Sequence, residues 1–412
     1  MGTQNAQAYE AYLRGLTGYR RFDYDSLQRA EQALEEAVRV DVGFAGAWAL
    51  LAKIRALTYF QGYEKTEANR IAARKAVETA IRLQPELAEA QMAKGFYEYW
   101  VVGDYDAARR TLEQLRSRWP NNACIIETLG LIALRQGRWK EGREYIDDAI
   151  ALNPRDLDLR KDAAYARCST RDFSATLRTI DQALAIWPDD TNLIGIKAGV
   201  YQALGQLDQA DALLSGLHAE AKDVDAIGPI WYQAMLRRDP AATISLFRTL
   251  TDQQDSLPPM LHTSYQLALA ELERLSGNAN EARANFIHAR ETLQKELKQQ
   301  PQNALLTSFL AQALAGLGER EAALQEADRA VGLLPSSRDA KSGPFYESTR
   351  ARIQARFGDA NRAIPVLRHL LATSYSPWVR PLLTPALLRL DPDFDQLRSD
   401  PRFQELCKDK QP

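Results

Sequence analysis

The chain has 412 residues, enough for two or three globular domains unless it grows by repetition. Its formal net charge is −2 with acids and bases interspersed, so the basic block of a nucleic-acid binder is missing and no such partner is expected. The cysteines Cys124, Cys168 and Cys407 are too few and too scattered for a disulfide frame or a Cys-x-x-Cys site. The longest apolar run, Val42 to Ala52, falls far short of the roughly 20 residues of a membrane helix. The opening MGTQNAQAYE has neither the basic start nor the apolar core of a secretory leader. Leu, Ala, Arg, Glu and Gln outweigh Val, Ile and Thr, which favours helices over strands.

The first predicted element, NAQAYEAYLRGLTGYRRFDYDSLQRAEQALEEAVRVD, reads as a pair of helices. Gly15 takes the small position of one helix, and Ala30 and Ala37 those of the next. The gap from Gly15 to Ala30 predicts about three residues inserted between the helices. A second pair runs from Trp48, Leu51 and Ala52 to Ala73, Ala80, Leu83 and Pro85, with the insertion YFQGYEKTEANR between. The third, Glu86 to Pro120, has Gly103, Tyr105, Ala108 and Leu112 in place.

From Asn121 to Pro188 the pattern is cleanest. Pro120, Pro154 and Pro188 stand 34 residues apart, and Gly130 falls on Ala164, Trp139 on Phe173, Ala149 on Ala183 and Leu152 on Ile186. Leu129, Gly130 and Ala133 share one helical stripe, while Gly142, Ile146 and Ala149 form the facing stripe. Gly137 stops the first helix and Pro154 the second. Such a hairpin cannot bury its own apolar face and must stack on neighbours. With this period and these residues the chain resembles the tetratricopeptide family.

Further along, Ala198, Tyr201, Gly205, Leu207, Ala210 and Leu214 keep the offsets. The seventh unit, around Trp231, Pro240, Phe247 and Leu250, is degraded and is flanked by the loop-like seams AKDVDAIGP and LTDQQDSLPPM. Periodicity returns with Leu269, Ala270, Gly277, Ala282, Phe286 and Ala289, then from Pro301 to Pro335, then with Tyr346, Ala351, Gly358, Ala360, Ala363 and Leu367. The tail SPWVRPLLTPALLRLDPDFDQLRSDPRFQELCK breaks the period and reads as a cap over the last apolar face. The expected fold is an all-α, right-handed superhelical solenoid of about ten hairpins with a C-terminal cap. The expected divisions are an N-terminal array at 1–222, a degenerate seam at 223–260, a second array at 261–375 and the cap at 376–412.

The segment from Asp391 to Leu406, the opening Ala8 to Gly15 and the stretch Ile81 to Gln114 are similar to tetratricopeptide regions of bacterial signalling proteins. Those regions follow a serine/threonine kinase, an adenylate or guanylate cyclase or a winged-helix DNA-binding domain. The resemblance implies an interaction or sensory module rather than an output domain.

No chemistry competes with that reading. His218, His262, His288 and His369 never stand three or four residues from one another or from a cysteine, so zinc-ligand spacing is missing. Phosphate loops, kinase landmarks and the Gly-x-Ser-x-Gly elbow are missing too, and the pairs Asp147/Asp148 and Asp189/Asp190 read as polar faces and caps. Neither catalysis nor a metal or cofactor is expected. In the family the first helix of each unit lines the concave face. By the repeat register that places Tyr97, Trp100, Glu127, Leu131, Arg135, Lys161, Tyr165, Ser169, Asn192, Gln202, Arg352 and Arg356 toward a protein or peptide partner. The family's chaperone-binding members clamp a terminal carboxylate; Lys161 matches one basic position, but Tyr165 stands where that clamp wants Asn. Self-association as a homodimer through exposed ends or edges is a further expected mode. The chain reads as a cytoplasmic scaffold. The rival readings are a periplasmic sensor region behind an upstream membrane anchor, and the substrate-recruiting part of an enzyme whose catalytic domain lies elsewhere.

Overall fold

A computed structural model describes residues 2–21, 23–218, 220, 223–252, 257–376 and 380–408. Parts of both predicted seams and of the tail lie outside the described residues. The described chain is all α, and its helices pair in sequence. They fall into two compact units, 1–133 with 144–154, and 134–143 with 155–412. The division runs through one hairpin, and residues 223–260 lie wholly inside the second unit.

The first unit holds α1 (Ala6–Arg21) and α2 (Tyr24–Val40), then α3 (Ala45–Phe60) and α4 (Glu67–Leu83). It continues with α5 (Ala88–Tyr97), a π-turn (Glu98–Val102) and α6 (Tyr105–Arg118). It also takes most of α7 (Ala123–Arg135) and the second half of α8 (Trp139–Leu152). The apolar stripe Leu27, Ala30, Leu34 and Ala37 of α2 packs with Ala8 and Ala11 of α1 and with Ala47, Leu51 and Ile54 of α3. At Gly15 a Cβ would stand 2.6 Å from Leu34 Cγ, so the small residue is what lets α1 and α2 approach. The extra residues of the first hairpin lengthen its helices, and only residues 22 and 23 separate them. The second insertion is divided among the end of α3, a turn at 61–66 and the start of α4. Asn69 holds that turn, its Nδ2 donating to Arg55 O, Thr58 Oγ1 and Glu64 O at 3.1–3.2 Å.

The second unit holds α9 (Leu157–Ser169) and α10 (Phe173–Leu184), α11 (Thr191–Ala203) and α12 (Leu207–Leu214), and α13 (Val224–Arg237) and α14 (Ala241–Thr251). These are followed by α15 (Pro259–Leu275) and α16 (Ala279–Gln299), α17 (Ala304–Gly316) and α18 (Arg320–Leu333), and α19 (Gly343–Arg356) and α20 (Ala360–Ala372). The degenerate stretch thus forms an ordinary hairpin, cored by Trp231, Tyr232, Phe247 and Leu250. Side chains of Asp172, Asp190, Asn303 and Asp359 accept from main-chain N–H groups at their helix starts, each such cap stabilising by about 1 kcal/mol.

The turn between paired helices needs one residue in the left-handed region. Gly103, Gly137, Arg171 and Gly205 supply it at a constant step, with φ of 69°, 74°, 63° and 73°. Arg238 follows with φ 57°, then Gly277, Gly318 and Gly358. A non-glycine residue there costs about 1–2 kcal/mol, so both arginines call for a reason.

The tail forms α21 (Pro385–Leu390), a 3-10 turn (Pro392–Leu397) and α22 (Pro401–Leu406). Phe403 and Leu406 cover α20 as a cap should, in one cluster with Leu367 and Leu370. The tail does more than cap, however. Leu382, Leu383 and Leu388 share that cluster with Cys168 of α9 and Val200 of α11, and Leu387 belongs to the core of α13 and α14. Pro381, Pro385, Pro392 and Pro401 keep the segment from forming another long hairpin. Its leucines and phenylalanines are therefore buried along several earlier helices.

Candidate partner-binding faces

In the first unit the first helices α1, α3, α5 and α7 converge on Lys53. Its ammonium lies 4.3 Å from the centre of the Phe96 ring and 4.8 Å from that of Tyr19. Burial pulls the lysine pKa down, but Cys124, Tyr19 and Glu127 outweigh it and push it above the ordinary value, so the charge is kept. Trp100 stacks on Phe96 at 4.4 Å and beside Phe60 at 6.0 Å. Trp100, Glu127 and Leu131 are half-buried.

Tyr97 sits elsewhere than the register places it. Counting back 34 from Gly130 gives Phe96 as the small position, whereas Gly95 is the residue that meets α6, where a Cβ would stand 3.1 Å from Leu112. The π-turn at Glu98–Val102 inserts one residue, because each of its turns is wider than an α-helical one. Positions before it shift by one. Tyr97 packs with Tyr59 against Ala56, Ala73 and Val101, and Phe96 takes the place beside Lys53.

In the second unit most of the expected positions are committed within the chain. Arg135 donates to Asp339 at 2.5 Å and to Ser342 at 3.0 Å. Ser169 is fully buried and donates to Tyr165 O, and Gln202, also fully buried, donates to Pro229 O and Gln233 Oε1. Lys161 pairs with Asp190 at 3.3 Å, and the Tyr165 hydroxyl donates to Asp225 at 2.6 Å. Asn192 is half-buried, and its Oδ1 has no hydrogen-bond partner.

Burial pushes the Asp225 carboxyl above the usual range, with Asp190 and Asp223 adding to it and Tyr165 and Lys161 opposing. A carboxyl with a raised folded pKa gives its full stability below the unfolded value near 4, and loses it as pH rises through the folded value. Asp225→Asn keeps an acceptor for Tyr165 and removes the ionisation. The variant is expected to match the wild type in thermal melts near pH 3 and to exceed it at pH 7. Lower stability of the variant at both pH values would contradict this.

Arg352 and Arg356 enter a buried polar cluster of the unit. Asp391 Oδ2 accepts from Arg352 Nη1, from Tyr232 at 2.5 Å and from Arg380 at 3.2 Å. Asp393 accepts from Arg380 at 2.7 Å and Arg352 at 3.3 Å, while Arg356 pairs with Glu271 at 2.6 Å. Both aspartates are buried, and Arg380 lies over the Trp231 ring at 4.8 Å. Arg274 also pairs with Glu271, at 2.9 Å, so four guanidiniums surround three carboxylates. The tail brings Arg380, Asp391 and Asp393 to the first helices α13, α15 and α19.

Residues 96–156 and 127–191 match the tetratricopeptide repeat family model. That stretch is tetratricopeptide-repeat sequence. No curated protein matches the chain. Similar solved structures include a tetratricopeptide repeat protein from Parabacteroides merdae, 13% identical with a TM-score of 0.41, covering 74% of this chain and 99% of that one. Pseudomonas aeruginosa PilF is 17% identical with a TM-score of 0.37, covering 51% and 91%. Yeast Tom70 is 15% identical with a TM-score of 0.41, covering 88% and 68%. At these values the likeness bears on neither partner nor activity.

Among the described residues of these tetratricopeptide-like hairpins, no group of three His, Cys, Asp or Glu side chains is placed to hold a metal ion. No described helix is long and apolar enough to cross a membrane. Sequence reasoning missed Tyr19, Lys53, Phe96 and Cys124, which reach one point from four helices. It also passed over Arg171, although an arginine midway between Gly137 and Gly205 in a 34-residue series was a readable signal.

Proposed function

We propose that the chain is a non-catalytic interaction scaffold that takes a peptide or protein partner on the first-helix face of its first unit. The observation that carries this is the convergence of four helices on Lys53, with half-buried Trp100 stacked on Phe96, half-buried Glu127 acting on the ammonium and half-buried Leu131 one turn beyond Glu127 on α7. Aromatic rings beside a fixed positive charge and an apolar Leu131 suit an extended segment that carries apolar and acidic side chains. In the second unit most of the corresponding positions are engaged by the chain itself, Asn192 excepted, which directs the reading to the first. The resemblance of the opening, the Ile81 to Gln114 stretch and the tail to bacterial signalling proteins supports service as the interaction or sensory module of such a protein.

The test is selection of peptides from a displayed random library on the immobilised full chain. Peptides selected by wild type are expected to lose at least about tenfold in affinity on Leu131→Glu, equivalent to about 1.4 kcal/mol, and to keep it on Lys161→Glu. Equal binding by wild type and Leu131→Glu would remove the first-unit face from consideration.

A further inference from the structure

The tail follows a row of inter-helix turns. At the α9–α10 turn, Arg171 donates to Leu383 O at 2.6 Å, and also to Leu370 O and Thr373 O. At the α11–α12 turn, a Cβ on Gly205 would stand 3.0 Å from Ala386 Cβ, and Thr384 donates to Ala203 O at 2.5 Å. At the α13–α14 turn, Arg238 makes a two-pronged pair with Asp395, at 2.7 and 2.9 Å. Residues 383, 386 and 395 therefore meet three successive repeats in order. A repeat array can hold a peptide in this way, one contact set per repeat, and here the held segment is folded into the short α21 and a 3-10 turn between its contacts.

The two arginines explain themselves in this light. Among the described residues they are the only non-glycine residues with positive φ, and both aim their guanidiniums at the tail. Glycine would relax each turn but could not reach the segment. Beyond the turns, the buried Asp391 and Asp393 are met by Arg352 of α19 and by the tail's own Arg380, and Phe394 lies under Arg352 with 5.0 Å from guanidinium to ring centre.

We propose that this row of turns is a peptide-recognition track for a segment with an aromatic-acidic pair, here Phe394-Asp395, occupied in cis by the chain's own residues 383–398, with Arg171 holding its main chain at Leu383 and Arg238 reading its acidic side chain at Asp395. The tail is then a built-in occupant that keeps outside peptides of the same chemistry off the second unit. The proposal is independent of the first-unit reading and fails or stands separately.

Two measurements on the full chain test it. In amide hydrogen exchange, Arg171→Gly/Arg238→Gly removes both guanidiniums while placing the residue each turn prefers. Protection of residues 380–408 is expected to fall by at least about tenfold, with α15 to α18 unchanged. Unchanged protection, or a uniform fall across the unit, would overturn the proposal. In the second, a labelled peptide of residues 383–398 is added in trans. Phe394→Ala/Asp395→Ala, which weakens the occupant and spares the track, is expected to bind it at least about tenfold more tightly than wild type, and adding Arg171→Gly/Arg238→Gly should abolish the gain. Equal binding by wild type and the tail variant sinks the idea. Should the tail variant fail to fold, the exchange experiment decides alone.

Discussion

Asp391→Asn is expected to destabilise the second unit by about 3–5 kcal/mol, the scale for removing one partner of a buried, hydrogen-bonded ion pair. The carboxylate is fully buried, and its two oxygens have different duties. Oδ2 accepts from Tyr232, Arg352 and Arg380, while Oδ1 accepts from the main-chain N–H of Asp393 at 3.0 Å. An amide can satisfy only one side. With its oxygen toward the arginines, its NH2 meets the Asp393 N–H; flipped, the NH2 meets two guanidiniums and a hydroxyl. Either way buried donors face donors, and two guanidiniums are left to Asp393. Asp395→Asn is the control: its pair with Arg238 is more exposed, and its loss should cost less than about 1 kcal/mol. Urea unfolding followed by local amide exchange compares the two variants. Similar midpoints for both would show that the cluster contributes nothing beyond a surface pair.

The same cluster should resist acid. Burial alone would raise the Asp393 carboxyl, but Arg380, Arg356 and Arg352 hold it well below the usual carboxylate range. A depressed folded pKa means that its stability is present above the unfolded value near 4 and is lost only as pH falls through the folded one. Protection of residues 391–397 is therefore expected to persist at pH 4.

The hairpin series was legible because it is written in local spacing. The prolines at 120, 154 and 188 and the aromatic positions at 139 and 173 mark helices that the structure contains at those places. Pairing was legible for the same reason: a stripe of small residues, such as Gly15, Ala30 and Ala37, can be satisfied by a neighbour in sequence. The face positions were harder. A single π-turn moved Phe96 into the place given to Tyr97, and nothing in EYWVV distinguishes a π-turn from a helix. The destination of the tail was harder still. Its amphipathic content announced burial, but whether Leu387 and Asp391 lie on the last hairpin or reach back to α13 depends on contacts far apart in sequence. Periodicity carries no information about such contacts. Only the arginines at 171 and 238 hinted at it, by breaking the glycine rule.

Gly195→Ala should be the costliest glycine replacement in the second unit, although alanine is the better helix former. Gly195 lies inside α11, which packs directly on α13. A Cβ built there would stand 2.0 Å from Asp225 O, 2.7 Å from Asp225 C and 2.8 Å from Ala226 Cα. These are main-chain atoms at the start of α13, and they cannot rotate aside as a side chain could. Overpacking costs about 1–3 kcal/mol where neighbours yield, so the upper end applies. Helix propensity returns about 1 kcal/mol, leaving a net loss of about 2 kcal/mol. Four residues further on, Gly199 gives the opposite result. A Cβ there meets only Pro381 Cγ, at 4.0 Å, so Gly199→Ala should stabilise by up to about 1 kcal/mol. The pair shares a helix, a substitution and a propensity term, and differs only in what stands opposite. Thermal melts of the two variants should therefore move in opposite directions from wild type. A common direction would mean that α11 and α13 do not approach as closely as Gly195 allows. The hydrogen bond from Tyr165 to Asp225 would then lose its fixed acceptor, because Asp225 is held at the point where the two helices touch.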